Sequence, residues 1–104
     1  MLPEGRAPSV GGVNKYLVER YLPGVSHREV DEASAQLASA ATELAGQGVE
    51  VRYIGSTFIP EEESSFSKLE AADAGDVRRV CERAGVGFAR IVEAHDLFPN
   101  TEEQ

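Results

Sequence analysis

The alternation of apolar and polar residues predicts two amphipathic helices. The first begins at a capping box formed by Ser26 and Glu29 and ends at the glycines from Gly46 onward. Its apolar stripe repeats at three- and four-residue spacing and comprises Val30, Ala33, Leu37, Ala41 and Leu44. The second helix follows the cap residue Asp73 and stops at Gly85. Its apolar stripe comprises Val77, Val80, Cys81 and Ala84.

Four shorter stretches rich in β-favouring residues predict strands at 13–22, 49–58, 65–71 and 88–95. The loop Ile59–Ser64 between the middle two is short enough to close a hairpin. The element order is therefore β-α-β-β-α-β, and right-handed crossovers place both helices on one side of a single antiparallel sheet. This order predicts an α+β protein with the ferredoxin-like sandwich fold.

Two helices can cover only one face of a four-stranded sheet, so the other face must be solvated, paired with a partner or used as a site. Strand alternation assigns to the helix side Val18, Val49, Val51, Tyr53, Leu69 and Ala71. It assigns to the second side Leu17, Glu19, Tyr21, Arg52, Ile54, Phe66, Lys68, Glu70, Ile91, Glu93 and His95.

This second set mixes large apolar groups with ionisable ones, which allows two interpretations. Two copies could stack their sheets into a dimeric α+β barrel around a small polar cavity, where opposite charges neutralise one another. Alternatively, the face is solvated and carries surface salt bridges that contribute little. We favour the homodimer, with a candidate ligand-binding set of Glu19, Tyr21, Arg52, Phe66, Lys68, Glu70 and His95.

The 104 residues are expected to form one domain at 13–96, between a disordered N-terminal arm at 1–12 and an acidic C-terminal tail at 97–104. The net charge of −8 makes the chain a poor partner for nucleic acid or an anionic membrane. One cysteine, no long apolar run and no basic start before an apolar stretch favour a soluble protein of the reducing cytoplasm.

Several segments together resemble a known family. Tyr16–Gly24 resembles the opening strand and turn of a family of small bacterial ferredoxin-like proteins of unknown function, some relatives of which are labelled nickel-binding. Glu70–Asp73, Val77–Arg78, Glu82–Gly85 and Arg90–Glu93 are similar to its second half in order and spacing. The resemblance covers about residues 14–94, and it implies a ferredoxin-like fold and a homodimer.

The chain departs from this family at the positions that would hold a metal. The nickel-labelled relatives tend to have a histidine-rich first strand, whereas the corresponding residues here are Leu17–Arg20. Ser67 and Leu69 stand where the family tends to have a cysteine and a tyrosine. Nickel and copper prefer thiolate and imidazole ligands, so the sequence predicts no metal site and no cofactor.

Isolated residues offer weaker candidates for chemistry. His27 lies in the first turn of a helix and is interpreted as a solvated surface residue. His95 could act as an acid or base, or as one ligand of a weak site with Glu19 or Glu93. Cys81 is predicted to be an inert core residue.

Two loop features are also open to more than one interpretation. The amides of the turn at Pro23 and Gly24, before the first helix, could hold a small carboxylate, although a plain turn fits as well. The three glutamates Glu61–Glu63 are predicted to be a solvated hairpin tip rather than a calcium loop.

The predicted function is a homodimeric small-ligand-binding or accessory protein without an assigned catalytic residue. One alternative is an enzyme like the cofactor-free monooxygenases and isomerases of the dimeric α/β-barrel type, which requires a tyrosine, histidine or glutamate in an enclosed cavity. Others are a purely structural interaction protein and a weak divalent-metal binder of the nickel type.

Overall fold

The computed structural model describes residues 13–97. The predicted arm at 1–12 and the part of the predicted tail after Leu97 lie outside the described residues. The elements are β1 (Asn14–Tyr21), α1 (His27–Gly46), β2 (Val51–Ile59), β3 (Ser64–Ala71), α2 (Ala74–Ala84) and β4 (Arg90–Ala94), with a 3₁₀ turn at Pro60–Glu62. The element order is the predicted one.

The helix boundaries follow from local capping. At the start of α1, the Glu29 amide donates to the Ser26 hydroxyl at 3.1 Å, and the Ser26 amide donates to the Glu29 carboxylate at 2.9 Å. These hydrogen bonds from Ser26 lower the pKa of Glu29. The Asp73 carboxylate accepts from the Asp76 amide at the start of α2, and Gly85 ends that helix in the left-handed conformation with φ of 71°.

The four strands form one sheet in the order β2-β3-β1-β4, with every neighbouring pair antiparallel. Both helices pack on one face, and the core between them and the sheet contains the residues that the sequence assigned to the helix side. Its fully buried side chains include Val18, Leu37, Leu69, Val77, Val80 and Cys81. No helix within residues 13–97 has both the length and the apolar character that crossing a membrane requires.

A bulge in β2 changes which polar side chains lie on the helix side of the sheet. The pairing of β2 with β3 shifts between Tyr53 and Gly55, so that Ser56 pairs with Ser67 on the helix side. The hydroxyl oxygens of Tyr53 and Ser56 are 2.6 Å apart, and those of Ser56 and Ser67 are 2.7 Å apart. This chain of hydroxyl groups satisfies the buried Ser67, and simple alternation did not predict it.

The register that alternation assigned to β4 is wrong by one residue. Ile91 pairs with the buried Val18 and packs against the core, and Glu93 pairs with Tyr16 on the same side. The strand has only five residues and contains the adjacent apolar pair Ile91 and Val92, so a pattern of period two can be set in either phase. Ile91 and Glu93 were therefore assigned to the wrong side of the strand, whereas His95 follows the end of β4 and has no partner in the register.

Candidate ligand-binding face

We call the side of the sheet away from the helices the open face. Its centre is apolar: Leu17 of β1 lies beside Val92 of β4 in the strand register, with Phe66 of β3 in the neighbouring row. Ile54 at the β2 bulge is 40% exposed and shares with Leu17 and Phe66 a concavity of about 230 Å³. Lys68, also in this concavity, extends toward the charged end of the face.

One end of the open face carries a cluster of paired charges. The Asp96 carboxylate lies between the ammonium groups of Lys15 and Lys68, at 3.0 Å and 3.1 Å. The Arg52 guanidinium is 2.9 Å from the Glu70 carboxylate, whose other oxygen is 3.8 Å from Lys15. Hydrogen bonds from Lys15 and then Lys68 lower the pKa of Asp96. We call these five residues the charged cluster.

The other end of the open face holds a separate ion pair. The Arg90 guanidinium donates from Nε and Nη2 to the two Glu19 oxygens, at 2.8 Å and 3.1 Å. This bidentate hydrogen bonding raises the pKa of Arg90. Tyr21 lies two residues after Glu19 in β1, on the same face of the sheet, and is 64% exposed. The two ends of the face are thus joined only through the apolar centre.

The seven residues predicted to bind a ligand are therefore spread over the sheet rather than gathered at one point. Arg52, Lys68 and Glu70 lie in the charged cluster, Phe66 in the apolar centre, and Glu19 and Tyr21 toward the opposite end. The His95 imidazole is 3.0 Å from the Glu93 carboxylate, and His95 lines a concavity with Lys15, Glu70 and Asp96 of the charged cluster. A role in binding stays a prediction for all seven.

Sequence reasoning missed three charged residues of the open face. Lys15 lies two positions before Leu17 and could have been found by extending the β1 alternation to its first residues. Arg90 was missed because the predicted alternation of β4 was out of phase by one residue. Asp96 follows the last strand, and only the tertiary structure brings it between Lys15 and Lys68.

The residues present do not fit a nickel site. Within residues 13–97, no group of three or more histidine, cysteine, aspartate or glutamate side chains is arranged to hold a metal ion. Ser67 and Leu69 are both buried under the helices. Cys81 is also buried, and burial raises the pKa of its thiol to about 11, which disfavours the thiolate that a metal requires.

The turn before α1 already holds a carboxylate from the chain itself. The Gly24 amide donates to the Glu63 side chain at 3.0 Å, and the Leu22 amide donates to the Glu63 carbonyl oxygen at 2.6 Å. Glu63 adopts a left-handed φ of 52° to do so. Glu63 therefore connects the hairpin loop to the turn before α1 through hydrogen bonds. The prediction that all three loop glutamates form a solvated tip is wrong for this residue. The other two, Glu61 and Glu62, are exposed.

Comparisons with known proteins place the chain in a structural context. The sequence model of the family described as "Nickel responsive protein SCO4226-like" matches residues 16–94. The fold is similar to the crystal structure of SCO4226 from Streptomyces coelicolor A3(2), with a TM-score of 0.65 and 18% sequence identity. That alignment covers 77% of this chain and 94% of the other. The similarity confirms the predicted fold class. No curated protein gave a significant match.

Proposed function

We propose that this chain, which belongs to the family described as nickel responsive protein SCO4226-like, is a homodimeric small-ligand-binding or accessory protein that pairs through its open face. Membership of the family confirms the resemblance stated from the sequence, and it assigns no catalytic function to this chain. The observation that supports the proposal is an apolar centre flanked by charges that are already paired within one chain.

The charge of the open face suits contact with a second copy. Its charged side chains are four bases and three acids: Lys15, Arg52, Lys68, Arg90, Glu19, Glu70 and Asp96. The face is thus close to neutral in a chain of net charge −8, because the acidic excess lies elsewhere. Since each of these groups has an opposite charge nearby, covering the face would leave no isolated charge buried.

The apolar centre supplies a driving force for covering the face. Burial of apolar surface contributes about 25 cal/mol per Å², and Ile54 and Tyr21 leave large exposed areas on this side of the sheet. Two stacked sheets would also enclose the shallow concavity beside Leu17 and Phe66, with polar groups of the charged cluster at its rim. A small molecule with both apolar and polar parts fits that description.

The oligomeric state of wild type and two variants tests the pairing. Leu17→Glu places a charge in the apolar centre, whereas Ala35→Glu adds the same charge on an exposed position of α1. By sedimentation velocity at roughly 100 μM, we expect dimers for wild type and Ala35→Glu, and a Kd at least about tenfold weaker for Leu17→Glu. A monomeric wild type, or equal affinities for all three, would contradict the proposal.

Ligand binding needs a separate measurement. A small-molecule screen by thermal shift should find compounds that raise the Tm of the wild-type dimer and lose that effect in Leu17→Glu. A broad screen without any hit would leave a dimer of accessory or structural type and would overturn the ligand-binding part. No observation on the described residues favours the enzyme alternative or a nickel site over this proposal.

A further inference from the structure

Almost every basic side chain of the described range lies close to a carboxylate. Seven of them form ion pairs: Lys15, Arg28, Arg52, Lys68, Arg79, Arg83 and Arg90. Among the lysines and arginines of residues 13–97, only Arg20 and Arg78 have no carboxylate within 4.0 Å. Both lie beside the loop between α2 and β4. Two cations at the same loop, with no acidic partner among the residues that the structure describes, are unusual in so acidic a chain.

The loop holds the Arg20 side chain through a backbone carbonyl oxygen, but it supplies no negative charge to neutralise the guanidinium. It pairs with Ser65 on the helix side of the sheet, and its Nε donates to the Gly87 carbonyl oxygen at 2.7 Å. Burial lowers the pKa of this guanidinium. Its terminal Nη groups donate no hydrogen bond to any other described residue. A partly buried cation without a counter-charge is costly, and a bound anion would remove that cost.

A concavity of about 350 Å³ lies beside this guanidinium. It is lined by Arg20, Tyr21, Leu22, Gly87, Phe88 and Ala89. The carbon at the centre of the Arg78 guanidinium is 5.4 Å from the centroid of the Phe88 ring, so a second positive charge lies against one of the lining side chains. The backbone amides of Gly87 and Phe88 donate to no backbone oxygen of the described residues outside the regular elements.

We propose that this concavity binds a small organic oxyanion, a phosphate or carboxylate carried on an aromatic or apolar body. The Nη groups of Arg20 face the anionic oxygens, since a guanidinium matches phosphate and carboxylate geometry bidentately. Arg78 adds charge, the loop amides add donors, and Tyr21 and Phe88 provide apolar surface for the body. All of its lining residues belong to one chain, and only Tyr21 is shared with the open face, so the site goes beyond the proposed function.

Titration followed by amide NMR tests this site with defined probes. Phenyl phosphate, benzoate and inorganic phosphate are added to the full chain up to about 20 mM at moderate ionic strength, where the net negative charge is screened. We expect saturable shifts at the amides of Gly87 and Phe88 with phenyl phosphate or benzoate, and weaker binding of inorganic phosphate. The stronger of the two organic probes identifies the anionic group. Wild type that shows no saturable shift with any probe overturns the proposal.

Three variants separate this site from a general charge effect. Arg20→Lys keeps the charge but loses the planar fork, and we expect binding about tenfold weaker. Arg78→Ala should weaken binding several-fold, whereas Arg79→Ala, a matched loss of charge on the same helix paired with Asp76, should not change it. Equal effects of Arg78→Ala and Arg79→Ala would overturn the proposal.

Discussion

At the scale of single residues, Cys81 shows how the fold decides chemistry. The sequence placed it on the apolar stripe of the second helix, and the structure buries it completely in the core. Burial raises the pKa of the thiol to about 11, although the positive charges of Arg20 and Arg78 act in the opposite direction. At neutral pH the group is therefore a protonated thiol, which is a weak nucleophile.

We expect iodoacetamide to alkylate Cys81 in the native protein at least about 100-fold more slowly than in the urea-unfolded chain at pH 8, because both access and thiolate are lost. The alkylation rate of the native protein should rise with pH up to about 11. The rate of the unfolded chain should level off near pH 9.0, the ordinary pKa of a cysteine thiol. Mass spectrometry of quenched samples measures both rates. Equal rates would show that Cys81 is accessible.

At the scale of elements, two glycines with open space around them have different roles. A Cβ added to Gly85 or to Gly55 would meet no atom within 4 Å. Gly85 nevertheless has a left-handed φ of 71° at the end of α2, whereas Gly55 lies in the β2 strand without a positive φ. The cost of a side chain at Gly85 is therefore conformational rather than steric.

Gly85→Ala should lower the free energy of unfolding by about 1–2 kcal/mol, since a Cβ is disfavoured in the left-handed region. Gly55→Ala is the matched control, and we expect a change within about 0.5 kcal/mol in either direction. Urea unfolding followed by circular dichroism measures both variants. Equal losses in the two variants would mean that the helix end does not depend on the left-handed residue.

The elements also show why some boundaries could be predicted and others could not. Helix α1 was found because Ser26, Glu29 and the apolar stripe all act within a few residues of one another. The β2 bulge and the β4 register depend on which residue of a neighbouring strand lies opposite. No local feature of the sequence specifies that pairing, so Arg90 was missed, and Ile91 and Glu93 were placed on the wrong side.

At the scale of the whole molecule, association of two copies depends more on where the charges lie than on the net charge. The open face is nearly neutral, while the chain carries a net charge of −8. Two copies that pair through this face would bring two acidic bodies together, with their like charges outside the contact. The resulting repulsion is long-range and is screened by salt.

If the copies pair as proposed, dimerisation should therefore tighten several-fold when the ionic strength rises from about 0.05 M to about 0.5 M. An interface held by salt bridges between the copies would respond in the opposite way. Sedimentation velocity over a salt series distinguishes the two, with Arg28→Ala as a control that changes the net charge away from the open face. A Kd that increases with salt would contradict contact through a face whose charges are already paired within each chain.

Local signals in the sequence were enough to predict the elements, their order and the side of β1, β2 and β3 that the helices cover, because helix caps, turn residues and apolar periodicity act over a few residues. It also supported the family, through short segments in the right order. The folded structure was needed for three further features: the β4 register, the hydroxyl chain of Tyr53, Ser56 and Ser67, and the position of Asp96 between two lysines. It alone brought Arg20 and Phe88 to one concavity. Each of these features joins residues from different elements of the chain. The hydrogen bonds and ion pairs between them form only once the sheet has formed.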